Sequence, residues 1–557
     1  MQPRSLQSDM DASLLPMTIA DFLPGLISET DEGDLPPGAS PDCQNVYFKP
    51  GRLLGRKGYV SKNASLPAIA DGIASFYDSD GTKHICLWSN GNFYDVNTTS
   101  FALTLVQASC YSAGTRITWT ILNRVLYFSD GTTITTSGGH QSGIRYYDPV
   151  GTPGSAPLLI TSGTAGTIET PAAKVLATRS GQLVLGNIKY VGGTYAKDSV
   201  LWSNVADPTT IVGTNIYRVG EGQGGEINCI VPMAISSAGF IPTDALFCGL
   251  SEFGVFMLKG ALSTSTLTSI QLNCAAGVLD GATAKYIPGP GSAFVAFLAT
   301  DRKVYYTNGY DTDELSKAIR TELREYIEDR YTDLSPVTPK FTSARNEQDH
   351  HYILDLGGGR QYIYDWDHKY WTRYNNWVSG YWIESRDANS NPALYVTSHT
   401  ATSLVQQNSG TTDGGSVIEP YWKTQWLNAG DADLNKIYKW AYLSFRTDEG
   451  NVTLTATVKH GQGSQATATF APPAASSSSD LWDSAIWDSA TWSSSVSATQ
   501  VPYKQKRRLF VQETSGQRSK LQGYDVQLQL SQSVAGWYEV LNLNVLFLPG
   551  GRKHVAA

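Results

Sequence analysis

Residues Ile73 to Val96 read IASFYDSDGTKHICLWSNGNFYDV, and their pattern indicates the kind of fold that the chain adopts. Two apolar runs, IASFY and HICLW, flank the turn-forming residues DSDG, and Asn90-Gly91 then leads into a third run, FYDV. An Asn-Gly pair between such runs is a strong hairpin signal, because both residues tolerate positive φ. The stretch therefore predicts three antiparallel strands joined by tight turns.

The same scheme of short apolar runs and turns recurs as far as residue 400. Ser79-Asp-Gly-Thr82 reappears as Ser129-Asp-Gly-Thr132, and Leu87-Trp-Ser-Asn90 reappears as Leu201-Trp-Ser-Asn204. The further predicted strands are Ile117–Leu122, Arg124–Phe128, Thr132–Thr136, Val175–Thr178, Leu183–Ile188, Ser199–Trp202, Ala245–Leu250, Phe253–Leu258, Phe294–Leu298, Val304–Tyr306, His351–Leu356, Gln361–Trp366, Tyr370–Tyr374 and Ala393–Val396. About seven meanders at spacings of roughly 40 to 65 residues are typical of propeller blades. We predict a mainly β fold in which residues 71–414 form a β-propeller of about six to seven small blades.

One segment within this region has helical periodicity. Residues 311–331 carry an Asp311-x-x-Glu314 capping pattern. The apolar residues of one stripe follow at steps of four: Leu315, Ile319, Leu323 and Ile327. This pattern predicts an amphipathic helix inserted into the propeller.

The two ends of the chain differ from the middle. Residues 1–70 are rich in Pro and Gly and predict an extended N-terminal arm. Residues 415–557 predict a β-sandwich-like domain. Its expected strands are Glu419–Trp426, Lys436–Phe445, Val452–Val458, Arg507–Gln512, Tyr524–Leu530 and Tyr538–Leu546. A Trp/Ser-rich insertion, residues 476–495, carries Trp482, Trp487 and Trp492 at a step that suits neither a helix face nor a strand face.

Composition excludes several classes of protein. The 557 residues include 42 Lys and Arg against 50 Asp and Glu, so the formal charge is −8, and only 17% of residues are charged. A basic nucleic-acid binder needs the opposite balance. A disordered chain combines low hydrophobicity with high net charge, which this one does not. The sequence predicts no membrane span and no signal peptide. The six cysteines lack metal-binding spacing, so we expect a chain made and kept reduced in a cytoplasm.

Candidate catalytic and metal-binding patterns are weak. Asp78-x-Asp80 resembles the start of a calcium loop but lacks its terminal Glu, so a hairpin turn is the better interpretation. His350 and His351 are adjacent, so on a strand they point to opposite faces and cannot share a metal ion. A carboxylate pair for glycoside cleavage remains open, although no pair is indicated. We predict no catalytic, cofactor-binding or metal-binding residue, no cofactor, and a non-enzymatic protein.

Contact sites are the remaining candidates. Tryptophan clusters usually mark interfaces, and isolated basic runs suit exposed strands or acidic partners. The residues predicted to contact other subunits or partners are Trp482, Trp487, Trp492, Arg52, Arg56, Lys506, Arg507 and Arg508.

Several motifs resemble the tail nozzle proteins of short-tailed bacteriophages, also called packaged-DNA stabilisation proteins. The likeness covers most of residues 34–410. The motifs are Asp34-Leu-Pro-Pro-Gly-Ala-Ser-Pro-Asp42, Asn45-Val46, Gly51-Arg-Leu-Leu-Gly-Arg-Lys-Gly58, Leu201-Trp-Ser-Asn-Val-Ala-Asp-Pro208, Gly224-Gly-Glu-Ile227 and Leu246-Phe-Cys-Gly-Leu-Ser-Glu-Phe-Gly-Val-Phe256. The Trp-Asp-Ser-Ala repeat is similar to tryptophan repeats of phage tail proteins, whereas Ile211 stands where the family often has Trp.

The resemblance implies a structural virion protein. It implies a homohexameric ring in the viral tail, assembled in the host cytoplasm, through which double-stranded DNA is retained and ejected. The implied partners are a portal adaptor or head–tail connector and the tail tip, needle or fibre proteins. Six copies would carry a charge of about −48, and an acidic wall repels phosphate, so DNA would pass without sticking.

Two other classes stay open. A receptor-binding or glycan-degrading tail protein would use a propeller face or a carboxylate pair on sugar. A cellular adhesion or scaffold propeller would use the same surface for protein partners.

Overall fold

A computed structural model shows that the chain is built mainly from antiparallel strands. It divides into a sandwich unit, Met1–Tyr59 with His368–Asn375 and Asn408–Ala557, and a propeller unit, Val60–Asp367 with Asn376–Gln407. The structure describes residues 14–552 except 132–142, 152–157, 160–171, 190–194, 206, 222–224, 236–242, 289–292, 334–340, 388, 431–432, 448–451, 460–464, 472–502, 510, 513–517 and 520.

Seven antiparallel sheets make up the propeller unit, and we number them as blades in chain order. Blade 1 comprises Ala70–Tyr77, Lys83–Ser89, Asn92–Val96 and Leu103–Gln107, and blade 2 comprises Thr118–Leu122, Val125–Ser129, Arg145–Tyr147 and Leu158–Leu159. Blade 3 comprises Ala172–Arg179, Gln182–Lys189, Tyr195–Asn204 and Asp207–Arg218. Blade 4 comprises Ile227–Ile235, Thr243–Leu250, Val255–Lys259 and Thr268–Gln271. Blade 5 comprises Lys285–Ile287, Phe294–Leu298, Val304–Thr307 and Thr312–Glu314. Within this unit, blade 6 comprises Thr342–Asn346, His351–Asp355 and Arg360–Asp365. Blade 7 comprises Gly380–Arg386, Pro392–Ser398, Leu404–Gln407 and the strand Tyr59–Asn63, whose first residue is the last residue of the sandwich unit's N-terminal segment.

The first strands of the blades form a closed ring. Each contacts the first strand of the next blade, and the first strand of blade 7 contacts that of blade 1. The fourth strand of blade 7, Tyr59–Asn63, comes from the chain before blade 1, so pairing between distant segments also closes the ring. The protein therefore contains a seven-bladed β-propeller, which confirms the predicted fold class.

Tight turns join the strands where the sequence indicates them. Asn90 and Gly91 have φ values of 52° and 76°, and they alone connect two strands of blade 1. Positive φ at both positions matches the twist of a two-residue hairpin. Asn123-Arg124 and Ser180-Gly181 make the same kind of turn. The prediction that Arg124 begins a strand is wrong, because this residue lies in the turn.

Apolar side chains fill the spaces between neighbouring blades. Between blades 1 and 2, Trp88, Phe93 and Phe128 are fully buried, and their ring centroids lie 5.0–5.4 Å apart. Trp202 is buried in the corresponding cluster between blades 3 and 4. Aromatic residues suit this geometry because the faces of radially arranged sheets diverge outwards, and large rings fill the widening gap.

The single α-helix of the described residues is Arg320–Asp333. Three residues of the predicted apolar stripe, Ile319, Leu323 and Ile327, are fully buried, whereas Leu315 is half-buried and lies before the helix. The predicted start at Asp311 was wrong, because Thr312–Glu314 instead pairs as the outer strand of blade 5. A short 3-10 helix spans Gly281–Thr283. No helix in the described part of the chain is long and apolar enough to cross a membrane.

The sandwich unit contains two larger sheets. One joins Leu15–Ile19, Val46–Lys49, Arg52–Gly55, Leu434–Thr447, Tyr503–Arg508, Leu521–Gly523 and Tyr538–Arg552. The other joins Cys43–Gln44, Tyr421–Lys423, Leu454–Lys459, Gln465–Phe470 and Gln527–Gln532. Smaller elements of the unit are Tyr370–Asn375, Thr412–Asp413, Ser416–Val417, Val511–Gln512 and Arg518–Ser519. The extended N-terminal segment thus supplies strands to both sheets of the C-terminal domain.

Candidate functional site

A cavity of about 560 Å³ lies inside the ring of first strands, and we call it the channel cavity. All seven blades line it, close to the points where their first strands begin. In blade order, the residues that line it include Ile73, Thr118, Lys174, Asn228, Lys285, Ser343 and Tyr381, one from each blade. The lining residues lie near the starts of all seven first strands, so these starts meet at the same end of the channel.

Arg116 reaches across the channel cavity. It precedes the first strand of blade 2, and its Nη1 lies 2.6 Å from Oδ1 of Asp280, which precedes blade 5. Its Nη2 donates to the carbonyl oxygen of Phe341, 3.2 Å away, at the start of blade 6. The guanidinium also lies 5.6 Å from the ring centroid of Tyr381 in blade 7. One side chain therefore links blades that are not sequence neighbours.

Asp280 is itself fixed by the backbone. Its Oδ1 accepts from the N–H of Ala282 at 3.0 Å and so caps the short helix Gly281–Thr283. Ser343 of blade 6 donates to the carbonyl oxygens of Ala282 and Thr283 at 3.0 and 2.9 Å. The carboxylate that meets Arg116 is therefore held rigidly, which favours a single geometry of the ion pair.

A second group of charges surrounds Lys285. Arg345 Nε lies 3.2 Å from Glu384 Oε2, and its Nη2 lies 2.7 Å from Glu347 Oε1. Burial, together with the nearby charges of Arg345 and Arg116, lowers the pKa of Lys285, although Glu384 opposes the shift. Burial also raises the pKa of Glu384. Both shifts have the direction expected when desolvation disfavours the charged form.

Loss of the Arg116 side chain is expected to destabilise the propeller. The substitution Arg116→Met leaves the carboxylate of Asp280 partly buried without its cation, which costs about 2 kcal/mol of unfolding free energy. Urea denaturation of the full chain measures this difference. Arg324→Met, which removes only an exposed helical pair with Glu328 at 3.9 Å, serves as the control and should cost less than about 0.5 kcal/mol. Equal losses in the two variants would contradict a role for Arg116 across the channel.

The histidines and acidic residues of the weak metal-binding patterns lie in strands or in the turns between them, and His350 lies in a turn with a φ of 57°. The side chain of His350 is exposed and lies 3.5 Å from Asp367, whereas that of His351 is buried and lies 3.9 Å from Asp365. Asp78 accepts from the N–H of Thr82 at 2.8 Å, which confirms the predicted hairpin turn. Among the described residues, no group of three or more His, Cys, Asp or Glu side chains could hold a metal ion.

His84 lies between two carboxylates in blade 1. Its Nε2 is 3.1 Å from Asp78 and its Nδ1 is 3.0 Å from Asp95. Burial alone would lower the pKa of His84, but the hydrogen bonds and charges of Asp95 and Asp78 outweigh it and raise the pKa. Burial would raise the pKa of Asp78, but its bond to His84 helps to lower it. The imidazolium form is therefore favoured in the folded protein.

This arrangement predicts a pH-dependent effect of His84→Gln. Because the pKa of His84 is higher in the folded state, the charged imidazole contributes its full stabilisation below the unfolded-state pKa of about 6.5. This contribution is lost as the pH rises through the folded-state pKa. The melting temperature should fall by about 2–4 °C at about pH 6 and by less at about pH 9. Thermal melts at the two pH values test this. A loss that grows with pH for His84→Gln would contradict the assignment.

The predicted contact residues lie in different environments. Arg52 Nη1 is 2.9 Å from Glu539 Oε1. The guanidinium of Arg56 is buried in an ion pair with Asp413 inside the sandwich unit. Lys506 Nζ lies 4.3 Å from the ring of Trp440 and 5.3 Å from that of Tyr442.

The basic run does not form a single patch. Arg507 Nε donates to the carbonyl oxygen of Thr469 at 3.0 Å, and its neighbour Lys506 points to the opposite face of the same strand. Trp482, Trp487, Trp492 and the side chain of Arg508 lie outside the described residues. Their assignment as partner contacts stays a prediction.

Sequence reasoning missed the charges of the channel cavity. Arg116, Asp280 and Lys285 are isolated charges next to short strands, and such residues normally face solvent. Their positions in the repeat could have indicated them, because Arg116, Asp280 and Lys285 all lie within a few residues of the start of a blade's first strand. In a closed ring those starts converge, so a charge at that point of the repeat is a candidate for the channel.

Comparison with known proteins gives a likeness in overall structure only. No protein-family model matches the chain, and no curated protein matches its sequence. A structure of BBS1N in complex with ARL6DN matches with 12% identity and a TM-score of 0.39, covering 64% of this chain and 99% of that one. BamB from Moraxella catarrhalis matches with 13% identity and a TM-score of 0.34, covering 65% and 94%. Raptor from Chaetomium thermophilum matches with 10% identity and a TM-score of 0.37, covering 64% and 29%. The assignment as a seven-bladed propeller rests on the sheets themselves.

Proposed function

We propose that this protein is a structural subunit of a phage tail nozzle, forming a ring through which packaged DNA is retained and ejected. The observation that carries the proposal is the resemblance of residues 34–58 and of three mid-chain segments, 201–208, 224–227 and 246–256, to tail nozzle proteins. The fold is compatible with such a role, because a propeller joined to a β-sandwich presents broad surfaces for contacts between subunits.

The positions of the motif residues support a structural role for the N-terminal segment. Arg56 donates to Asn45 Oδ1 at 2.8 Å and pairs with Asp413. A Cβ atom on Gly58 would lie 1.8 Å from the carbonyl oxygen of Thr412, so no other residue fits there without a shift of the backbone. Residues that carry the resemblance thus hold the sandwich unit together.

The stoichiometry of the purified full chain tests the proposal. Native mass spectrometry and electron microscopy should show closed rings of six copies, either alone or after addition of a head–tail connector. The same chain should copurify with virions. A stable trimer that shortens host polysaccharide would overturn the proposal in favour of a glycan-degrading tail protein, and a stable monomer bound to a cellular partner would favour a scaffold.

Interaction with DNA gives a second test. A ring with a charge of about −48 repels phosphate, so double-stranded DNA should show no binding at micromolar protein and about 0.15 M salt. An electrophoretic mobility shift assay measures this directly, with a basic DNA-binding protein as the positive control. Salt-sensitive binding of DNA under these conditions would contradict passage without sticking.

A further inference from the structure

The channel cavity has the size and composition of a small-molecule site. Its volume of about 560 Å³ falls within the range of roughly 300–1,000 Å³ that is usual for ligand pockets. Trp119 and Tyr381 supply aromatic surface to the lining, and Asn228 and Ser343 supply polar groups. Mixed apolar and polar walls of this kind both bury and orient a ligand.

The charges of the lining favour an anion. Three cations, Arg116, Lys174 and Lys285, face the cavity together with two carboxylates, Asp130 and Asp280. Arg116 is paired with Asp280 at 2.6 Å. Lys174 lies 3.8 Å from Glu226, which is outside the lining.

Lys285 is the cation that remains. Within the part of the chain that the structure describes, its ammonium group makes no hydrogen bond and no ion pair. Glu384 is the nearby carboxylate that acts on it, but both Glu384 oxygens are engaged by Arg345, through the backbone N–H at 3.1 Å and Nε at 3.2 Å. Lys285 is therefore a half-buried cation without a polar partner in the lining of the cavity, and a bound anion would supply that partner.

We propose that the channel cavity binds a small anion through a carboxylate or phosphate group placed against Lys285. Arg116 flanks this position, and its charge adds to the positive potential there. The aromatic rings of Trp119 and Tyr381 then cover the less polar part of the ligand. This site is independent of ring assembly, since one propeller supplies every group.

Isothermal titration of the full chain with inorganic phosphate and, separately, with citrate tests the site. Wild-type protein should bind at least one of them saturably, and Lys285→Met should weaken that binding at least tenfold. Lys285→Arg, which keeps the positive charge, should retain it. Lys317→Met removes an exposed charge on the flank, paired with Asp313 at 2.8 Å, and should leave binding unchanged. Which probe binds more tightly distinguishes a phosphate ligand from a carboxylate ligand.

The pH dependence provides a readout that a folding defect would not mimic. A bound anion stabilises the ammonium form of Lys285, so affinity should fall as pH rises through the pKa of this lysine in the free protein. Because that pKa is lowered, the loss of affinity should begin at a lower pH than the titration of an ordinary lysine. Absence of saturable binding of both probes up to about 10 mM, or equal binding by Lys285→Met that melts like the wild type, would overturn the proposal. Native mass spectrometry of Lys285→Met should still show the same assembly, which separates this test from that of the proposed function.

Discussion

Replacement of Asp355 by alanine is expected to lower the free energy of unfolding of the propeller by about 3–5 kcal/mol. The carboxylate is fully buried at the end of a strand of blade 6. It accepts from the N–H groups of Gly357 and Gly380 at 2.9 Å each and from Trp382 Nε1 at 3.0 Å. Gly380 and Trp382 belong to blade 7, so this side chain joins two blades. Alanine would leave these buried donors without an acceptor, which is the costly case for a hydrogen-bonded group.

Urea denaturation of the full chain measures this loss. Asp355→Asn retains the volume and one acceptor oxygen, so it should fall between alanine and the wild type. Asp313→Ala removes an exposed carboxylate of the same unit and should change stability by less than about 0.5 kcal/mol. Burial raises the pKa of Asp355, so the fold disfavours the charged form of this carboxyl group relative to an exposed one. A loss below about 1 kcal/mol for alanine would contradict this expectation, because removal of the buried carboxylate would then largely offset the lost hydrogen bonds.

Replacement of Arg56 by methionine is expected to cost the sandwich unit about 3–5 kcal/mol. Nη1 of Arg56 lies 2.8 Å from Oδ1 of Asp413, and Nη2 donates to the carbonyl oxygen of Asn375 at 2.7 Å. Nε donates to Asn45 Oδ1 at 2.8 Å. Both charges are almost fully buried, with side-chain exposures of 1% and 6%. Methionine would leave the carboxylate of Asp413 uncompensated in an environment that disfavours charge.

A double-mutant cycle separates this ion pair from general packing. The variant that combines Arg56→Met with Asp413→Leu removes both charges and should recover most of the loss seen with Arg56→Met alone. Arg56→Lys keeps the positive charge but loses the bidentate contact of the guanidinium with both oxygens of Asp413. We therefore expect an intermediate loss of unfolding free energy. Additive losses in the cycle would show that the two side chains do not depend on each other.

Local sequence patterns predict the strands of the propeller well but not their closure. Asn90-Gly91 and the apolar runs around it identify the hairpins of blade 1, because a turn and its two strands lie within a few residues of each other. The sequence does not predict the strand Tyr59–Asn63, because its partner strand, Leu404–Gln407, is distant along the chain. Its own residues are mostly polar and carry no periodic signal. The helix start was misplaced for a related reason, since pairing with blade 5 overrode the capping pattern at Asp311.

The channel cavity illustrates what a single sequence conceals. Arg116 and Asp280 are far apart along the chain, and each resembles a surface charge when it is considered alone. Only closure of seven blades brings them within hydrogen-bonding distance. Arg56, one of the predicted contact residues, is a second example. Arg56 stands in a basic and glycine-rich stretch that suggests exposure, yet it is buried because its partner Asp413 arrives from another part of the chain.

The strand Tyr59–Asn63 also determines when the propeller can close during synthesis of the chain. It leaves the ribosome before any blade of the propeller but cannot pair until Leu404–Gln407 has been made. At about 5–20 residues per second, this strand waits roughly 20–70 s with an open edge. During that interval blades 1 to 6 can stack while the two ends of the arc stay apart. Every molecule therefore passes through an unclosed form whose free edges can capture a strand from a neighbouring nascent chain, and ring closure is the event that ends this exposure.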